Sequence, residues 1–472
     1  MALPPWTILT DTEVEAIHGF ALRVLANVGM SVPDTEAQAI LSKGGAQVEE
    51  ASGQVCLPPE LVQEALQMAP GQFHLSDRRG GTLPLPTDGH YHFSGCETLR
   101  VLDYASGKFR QPRLGDAVRF TRLADALPLI AGVSPQVANV QGEDSPEDMA
   151  LRALQAMVCN TSKHCLIAPL NRRVGEVWLE MGEILAAGQP LASHPVISVC
   201  VSSNSPLQWE EETLGVLVLA ARKGVPVFLL PGAQCGMSAP ITLAGAQVLK
   251  TAETLFGLVL AQLVNPGVPV VFGGIGLGIL DMRTADMASA GPEWALGNAA
   301  GAQMARFYQL PSYSNAAHAD GKSPDEQVGM EKMACMFSAI VAGVDVSINA
   351  GSLNKTTVSS YEQMIIDHEM LRYLYRCLAG MTVDEETLAY DVIQAIGPGG
   401  NYLMADHTRR SLRSGENLYL KLFDRTSVNA PVPDLLARAH EEVEAVLATH
   451  EPDVSEQTAQ EIFAYIEEQL SQ

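Results

Sequence analysis

Basic side chains are scarce. The 472 residues hold 30 Lys and Arg against 54 Asp and Glu, a formal net charge of -24 with His neutral. Nucleic-acid backbones and anionic lipid surfaces repel such a protein, so neither is expected as a partner. Cysteine is sparse too. Its eight residues stand at 56, 96, 159, 165, 200, 235, 335 and 377 with no CxxC pair, which excludes a disulfide framework. The chain has no Walker A loop, no HExxH and no GxSxG, so the sequence signatures of P-loop nucleotide binding, of zincin chemistry and of the serine-hydrolase elbow are missing. The run Gly273-Gly-Ile-Gly-Leu-Gly278 does not restore a dinucleotide fingerprint. Counted from Gly274 and Gly276, the third glycine position is Ile279. A glycine-rich loop after an apolar run serves more simply to let something bulky approach the backbone. Met1–Trp6 shows no basic region leading into an apolar one, and no apolar stretch reaches the ~20 residues of a membrane span. The expectation is a cytoplasmic protein with no membrane partner.

What is present is a large apolar content, 47% of the chain, enough for a packed core. Residues 7–70 read as helices. Thr10 or Asp11 can cap a run through Val14, Ile17, Leu22 and Leu25 that ends at Gly29. Asp34 caps a second run, which stops at Gly44-Gly45, and Pro58-Pro59 opens a third. A Gly-, Pro- and Asp-rich stretch over 76–89 then breaks the chain.

From about residue 90 short apolar runs alternate with longer helix-forming segments such as 208–223 and 241–264. The runs are 91–94, 129–133, 165–169, 196–201, 225–230, 268–273, 312–316 and 344–349. Most are apolar on successive residues, the pattern of strands covered on both faces by helices. Eight such strands with helical crossovers predict an α/β fold, a (β/α)8 TIM barrel with N-terminal and C-terminal helical extensions. A doubly wound sheet is the alternative. The expected divisions are 1–88, helical; 89–380, the barrel; and 381–472, helical. After Arg438 no Lys or Arg follows, and this end is expected to be a solvated helical tail or a docking surface.

Barrels place their chemistry where strands end. The residues there are Glu97, Ser202, Asn204, Gln234, Phe272, Asn315, His318 and Asn349, mostly neutral hydrogen-bonders. Tyr91, Phe93, Phe272 and Tyr313 offer aromatic faces, although strand alternation lets only one of two adjacent residues face inward. A mouth with aromatic rings and few fixed cations suits a quaternary ammonium. His90, His92 and Cys96 have a spacing that could hold a metal, so a metal-dependent barrel enzyme stays an alternative, although no metal is expected. Asp367-His368-Glu369 lies in an expected helix whose phase spreads the three side chains, and a solvated or capping role is expected for them.

Several stretches carry a resemblance: Gly44-Gly-Ala-Gln-Val48, Cys56-Leu-Pro-Pro-Glu60, Ser238-Ala-Pro-Ile-Thr-Leu-Ala-Gly245, Leu258-Val-Leu-Ala-Gln-Leu-Val-Asn-Pro-Gly267, Ser323-Pro-Asp-Glu-Gln327, Tyr361-Glu-Gln-Met-Ile-Ile-Asp367, His407-Thr408 and Phe423-Asp-Arg425. Taken in order they span nearly the whole chain, which resembles the trimethylamine methyltransferase family in its branch without pyrrolysine. The resemblance implies a barrel enzyme that moves a methyl group from a methylated amine to Co(I) cobalamin on a separate corrinoid protein. The stretch 344–350 resembles the one that carries pyrrolysine in the other branch, and Asn349 matches that position. Members without pyrrolysine act on quaternary amines such as glycine betaine, carnitine or proline betaine, of which glycine betaine is favoured here. On this reading Asn349 and His318 are catalytic. Tyr91, Phe93, Glu97, Asn204, Gln234, Phe272 and Asn315 bind substrate. A betaine carboxylate would take a donor from His318, Asn349, Asn204, the 274–278 amides or Arg283. A homo-oligomer and a barrel that binds quaternary amines without turnover are further possibilities.

Overall fold

The computed structural model describes residues 5–138, 140–142, 145–274, 276–413 and 415–471. Eight parallel strands form its centre: β1 (Tyr91–Ser94), β2 (Ile130–Val133), β3 (His164–Ile167), β4 (Ile197–Val201), β5 (Val227–Leu229), β6 (Val270–Phe272), β7 (Tyr313–Ser314) and β8 (Val346–Ala350). Their order in the sheet is β6-β5-β4-β3-β2-β1-β8-β7, and a parallel bridge between Phe272 and Ser312 joins the two ends into a barrel. Each expected run overlaps one of these strands, with His164 and Ala350 lying one residue outside their runs. Alternation sorts their side chains. Phe93, Leu166, Cys200, Phe228, Val271 and Tyr313 pack together inside the barrel. Ile130, Cys165, Ile197, Val227 and Phe272 join the outer cluster beneath the helices.

Helices in the first part of the chain are α1 (Asp11–Asn27), α2 (Thr35–Lys43), α3 (Pro59–Met68), α4 (Leu114–Ala126), α5 (Pro146–Val158) and α6 (Arg172–Leu185). Then come α7 (Glu211–Lys223), α8 (Leu243–Val264), α9 (Pro292–Phe307), α10 (Glu326–Ala342) and α11 (Tyr361–Leu378). The expected caps are in place. Thr10 and Glu13 form a capping box at α1, Asp34 accepts from the Ala37 N–H at α2, and Pro59 opens α3. Within this helical region Met30–Ser31, Gln47–Glu49 and Gln54–Cys56 add a small antiparallel sheet that periodicity does not reveal.

Helix α8 departs from the expectation about apolar stretches. Its 22 residues are long and apolar enough to cross a membrane by length and composition, yet 78% of that window is buried inside the protein. Helices α1, α2 and α3 cover the side that the barrel leaves free, so an apolar surface all round is what this position requires.

The stretch expected as a break also carries structure. Thr82–Leu85 pairs with Phe73–Ser76, and Leu75 and Leu85 pack against the inner barrel residues. Ser76 N–H donates to Pro195 O, and Thr87 N–H to Asp345 Oδ1. Both partners precede barrel strands, so this hairpin plugs the N-terminal end. At the opposite end Arg100–Asp103, Lys108–Arg110, Ser352–Leu353 and Val358–Ser359 form a rim sheet.

After α11 come α12 (Glu385–Leu388), α13 (Tyr390–Ile396) and α14 (Asp406–Ser411), none with a buried residue. Beyond them α15 (Leu435–Thr449) and α16 (Glu456–Leu470) do not form a solvated tail. Ala439, Val443, Ile462 and Ile466 are fully buried as α15 packs on α4 and α11 and α16 on α5 and α6. An apolar stripe on an otherwise acidic helix is enough to dock it.

Candidate functional site at the barrel mouth

Two adjoining cavities occupy the C-terminal end of the barrel, where βα loops meet. The first, about 160 Å³, is lined by Cys96, Glu97, Cys200, Tyr313, Asn315 and Asn349 among others. The second, about 190 Å³, is lined by Gln234, Lys250, Trp294, His318 and again Asn315. Both also share Leu230 and Thr356. Larger clefts of about 510 and 360 Å³ lie away from the strand ends, beside α11 to α14 and between α1, α3 and α9.

Asn349 is 1% exposed with φ +94°. Both polar atoms of its amide are buried and have no protein partner. Such atoms cost roughly 1–3 kcal/mol each when left unsatisfied, so the site spends stability to hold them ready. Behind Asn349 lies a buried ion pair. Lys332 Nζ is 2.8 Å from Asp367 Oδ2, and neither side chain is exposed. The same ammonium donates to Ala317 O at 2.9 Å and Asn349 O at 3.5 Å, while Asp367 accepts from Gly351 N–H at 2.7 Å and from Gln363 Nε2 at 2.7 Å. One cluster therefore ties the chain beside His318 to the chain around Asn349. Burial pushes the Asp367 carboxyl up, and Lys332 opposes that. The expectation of a solvated Asp367-His368-Glu369 face fails, because α11 lies against the barrel and all three residues are buried.

Glu97 has φ +56°, and its N–H donates to Pro135 O at 2.8 Å. Gly95 makes that approach feasible: a Cβ there would lie 2.3 Å from Ser134 O. Among the described residues lining the first cavity Glu97 is the sole carboxylate, and burial pushes it up to about 7. Burial likewise raises the thiols of Cys96 and Cys200 to about 12, so both stay protonated.

The second cavity holds a cation the sequence reading does not anticipate. Lys250 is buried, donates to Gly274 O at 2.6 Å and to Gly276 O, and burial brings its ammonium down to about 8. The glycine loop thus presents carbonyls to Lys250. It also admits an aromatic ring: a Cβ on Gly276 would sit 2.2 Å from Trp294 Cε2. The His318 ring lies 4.5 Å from the Trp294 ring, its Nδ1 meets Ser289 O at 3.1 Å, and burial lowers it to about 4, so it is neutral. Ile275, within the proposed 274–278 amide run, lies outside the described residues.

The mouth thus gathers Glu97, Gln234, Asn315, His318 and Asn349, with Tyr313. It does not gather the rest. Phe93 is fully buried in the barrel core, 6.0 Å from the His164 ring, and Tyr91 packs with the residues under the plug. Phe272 faces outward against Tyr308, because Val271 takes the inward position on β6. Asn204 is exposed and donates to Glu210 Oε1 at 3.0 Å. Arg283 pairs with Asp281 at the surface. His90 and His92 both bond the Ser347 hydroxyl, while the Cys96 thiol lies against Thr356 O at the mouth. The three therefore do not converge, and no group of three or more His, Cys, Asp or Glu suited to a metal occurs among the described residues. Sequence reading misses Lys250, Trp294 and Lys332, which sit on helices that follow strands. Trp294 lies in the first turn of α9, after Gly291-Pro292. Helix starts after barrel strands face the mouth, and that is the signal that would find it.

Comparison with known proteins follows the same lines. A family model described as "Trimethylamine methyltransferase (MTTB)" matches residues 1–472. A Desulfitobacterium hafniense (strain DSM 10664 / DCB-2) protein named trimethylamine methyltransferase MttB is 32% identical over 468 residues, covering 97% of this chain and 93% of that one. Glycine betaine methyltransferase of Desulfitobacterium hafniense (strain Y51) is 32% identical over 463 residues, 95% of this chain and 94% of its own. A crystal structure of the hydroxylamine MtmB complex matches with a TM-score of 0.50 at 11% identity, over 100% of this chain and 95% of that one. At that identity the likeness concerns the fold.

Proposed function

Because this chain belongs to the trimethylamine methyltransferase family, we propose that it transfers a methyl group from a quaternary amine, glycine betaine first, to Co(I) cobalamin on a separate corrinoid protein. Methyltransferase is the name its curated relatives carry. Donor and acceptor are our reading.

The observation that carries it is the make-up of the mouth: one carboxylate, Glu97, and the Tyr313 ring share a cavity of about 160 Å³ with an unpartnered amide and, among the described lining residues, no acid–base pair. A quaternary nitrogen has no lone pair and already carries its charge. When its N–CH3 bond breaks, the electron pair stays on nitrogen and a neutral tertiary amine leaves, so no proton needs delivering. The acceptor supplies the nucleophile when bound. The chain's own part is to orient the methyl and exclude water. Glu97 and Tyr313 would attract the onium head. Asn315 and Lys250, in the adjoining cavity, would take the carboxylate. Asn349 would fix the head against the strand end, and neutral His318 would hold the Trp294 ring in place.

The test mixes the protein with Co(I) cobalamin and single betaines and follows methylcobalamin by absorbance. Methyl transfer from glycine betaine is expected. Binding by calorimetry with no transfer from any quaternary amine would instead mark a non-catalytic binder, and zinc at one equivalent by elemental analysis would point to metal chemistry.

A further inference from the structure

A third cavity of about 250 Å³ adjoins the mouth and shares Glu97, Pro135, Ile167 and Ala168 with the first. Among the described residues its remaining wall is apolar, built from Met149, Ala150 and Leu154 on α5 and from Leu170 after β3. Leu99 and Leu170, both lining it, are 52% and 55% exposed. The aliphatic surface here thus stays unburied beside the strand ends, although α5 and α6 are otherwise well packed. Glu97 stands between the two cavities. Within the reading above, a cation held at Glu97 has the small polar mouth on one side and this aliphatic annex on the other.

We propose that the annex is a substrate subsite, which takes an apolar chain carried by the quaternary nitrogen. The substrate class then extends past small betaines to quaternary amines with one aliphatic substituent of several carbons. Neither Lys250 nor Asn315 lines the annex, so a chain there leaves the carboxylate position free. The inference rests on the proposed onium site and adds a specificity that the site alone does not imply.

Alkyltrimethylammonium ions from methyl to hexyl, titrated by calorimetry below their micellar range, test it. Each buried methylene is worth about 0.8 kcal/mol, so affinity should rise about fourfold per carbon, and by about two orders of magnitude from ethyl to hexyl. In Ala150→Phe, which fills the annex, and in Leu170→Asp, which wets its rim, that slope should collapse. Both positions are partly exposed, and circular dichroism verifies their folding. A flat series in the unaltered protein, with tetramethylammonium still bound, overturns the annex and leaves the proposed function standing. An undiminished slope in both folded variants overturns it as well. If no ammonium ion binds, the onium site fails and the annex with it.

Discussion

At the N-terminal ends of the strands His90 and His92 share the Ser347 hydroxyl, and His164 bonds Ser198, Ser76 O and Pro195 O. Each of these histidines has at least one ring nitrogen engaged, and the hairpin 73–85 reaches His164 through Ser76 O. At the C-terminal ends Asn349 has neither amide atom satisfied, Asn315 lacks a partner for Oδ1, and Glu97 and Lys250 are charged groups shifted by burial. The same eight strands thus end in a plugged floor, where both ring nitrogens of His164 are bonded although His92 Nε2 and Ser76 Oγ lack partners, and in an open mouth, where neither atom of the Asn349 amide is satisfied. Stability is invested at one end and withheld at the other, as a site that must bind something requires.

That contrast can be broken. The largest effect is expected where the mouth is buttressed. Lys332→Met leaves Asp367 buried without its cation and should cost roughly 3–5 kcal/mol in denaturant unfolding. A loss below about 1 kcal/mol would show that the pair does not hold the strand ends. On the floor, Ser347→Ala strips two histidines of a shared partner and should cost about 1–3 kcal/mol, with substrate affinity unchanged. Affinity that falls with it would mean the two ends are coupled.

Paired substitutions sharpen the contrast. Tyr313→Leu keeps the apolar volume but removes the ring, and should weaken tetramethylammonium by about 0.5–2 kcal/mol in calorimetry. Phe93→Ala should instead lower stability, by roughly 3–5 kcal/mol of cavity cost, since it lies in the core. Asn349→Ala should not lower stability by more than about 1 kcal/mol, because the strain of alanine at φ +94° is offset by relief of the unsatisfied amide, while methyl transfer drops. A large loss of stability there would mean the amide is paired after all.

Acidity supplies the mildest probe. Glu97 titrates at about 7. It is neutral below that, so onium affinity should fall as pH drops through 7, and Glu97→Gln should flatten that limb. Lys250 titrates at about 8 and is neutral above it. Glycine betaine affinity should therefore fall as pH rises through 8, whereas tetramethylammonium affinity should not. Parallel behaviour of the two ligands on the alkaline side would remove Lys250 from the carboxylate position.

Much of this architecture is legible in the chain. Continuous apolar runs of four to six residues separated by helix formers can bury both faces only between helices, so the eight strands and their order of use follow. The positions just after them, Glu97, Asn315, His318 and Asn349, are legible for the same reason. The aromatics are not. Where both faces of a strand are apolar, alternation alone does not say which residue is inside, and Phe272 points outward while Tyr313 points in. Lys250 and Lys332 sit on helices of apolar texture and Asp367 in a run that reads as solvated or capping, and a lone charge in either carries no sign of its partner.

By itself the sequence determined what local physics can decide: helix caps at Thr10 and Asp34, parallel strands from their composition, and an acidic surface that repels polyanions. Only the tertiary structure decided which side chains meet. Strand facing, the Lys332–Asp367 pair 35 residues apart in sequence, and the cavities shared around Glu97 all depend on closing one barrel, an event that residue spacing along the chain does not encode.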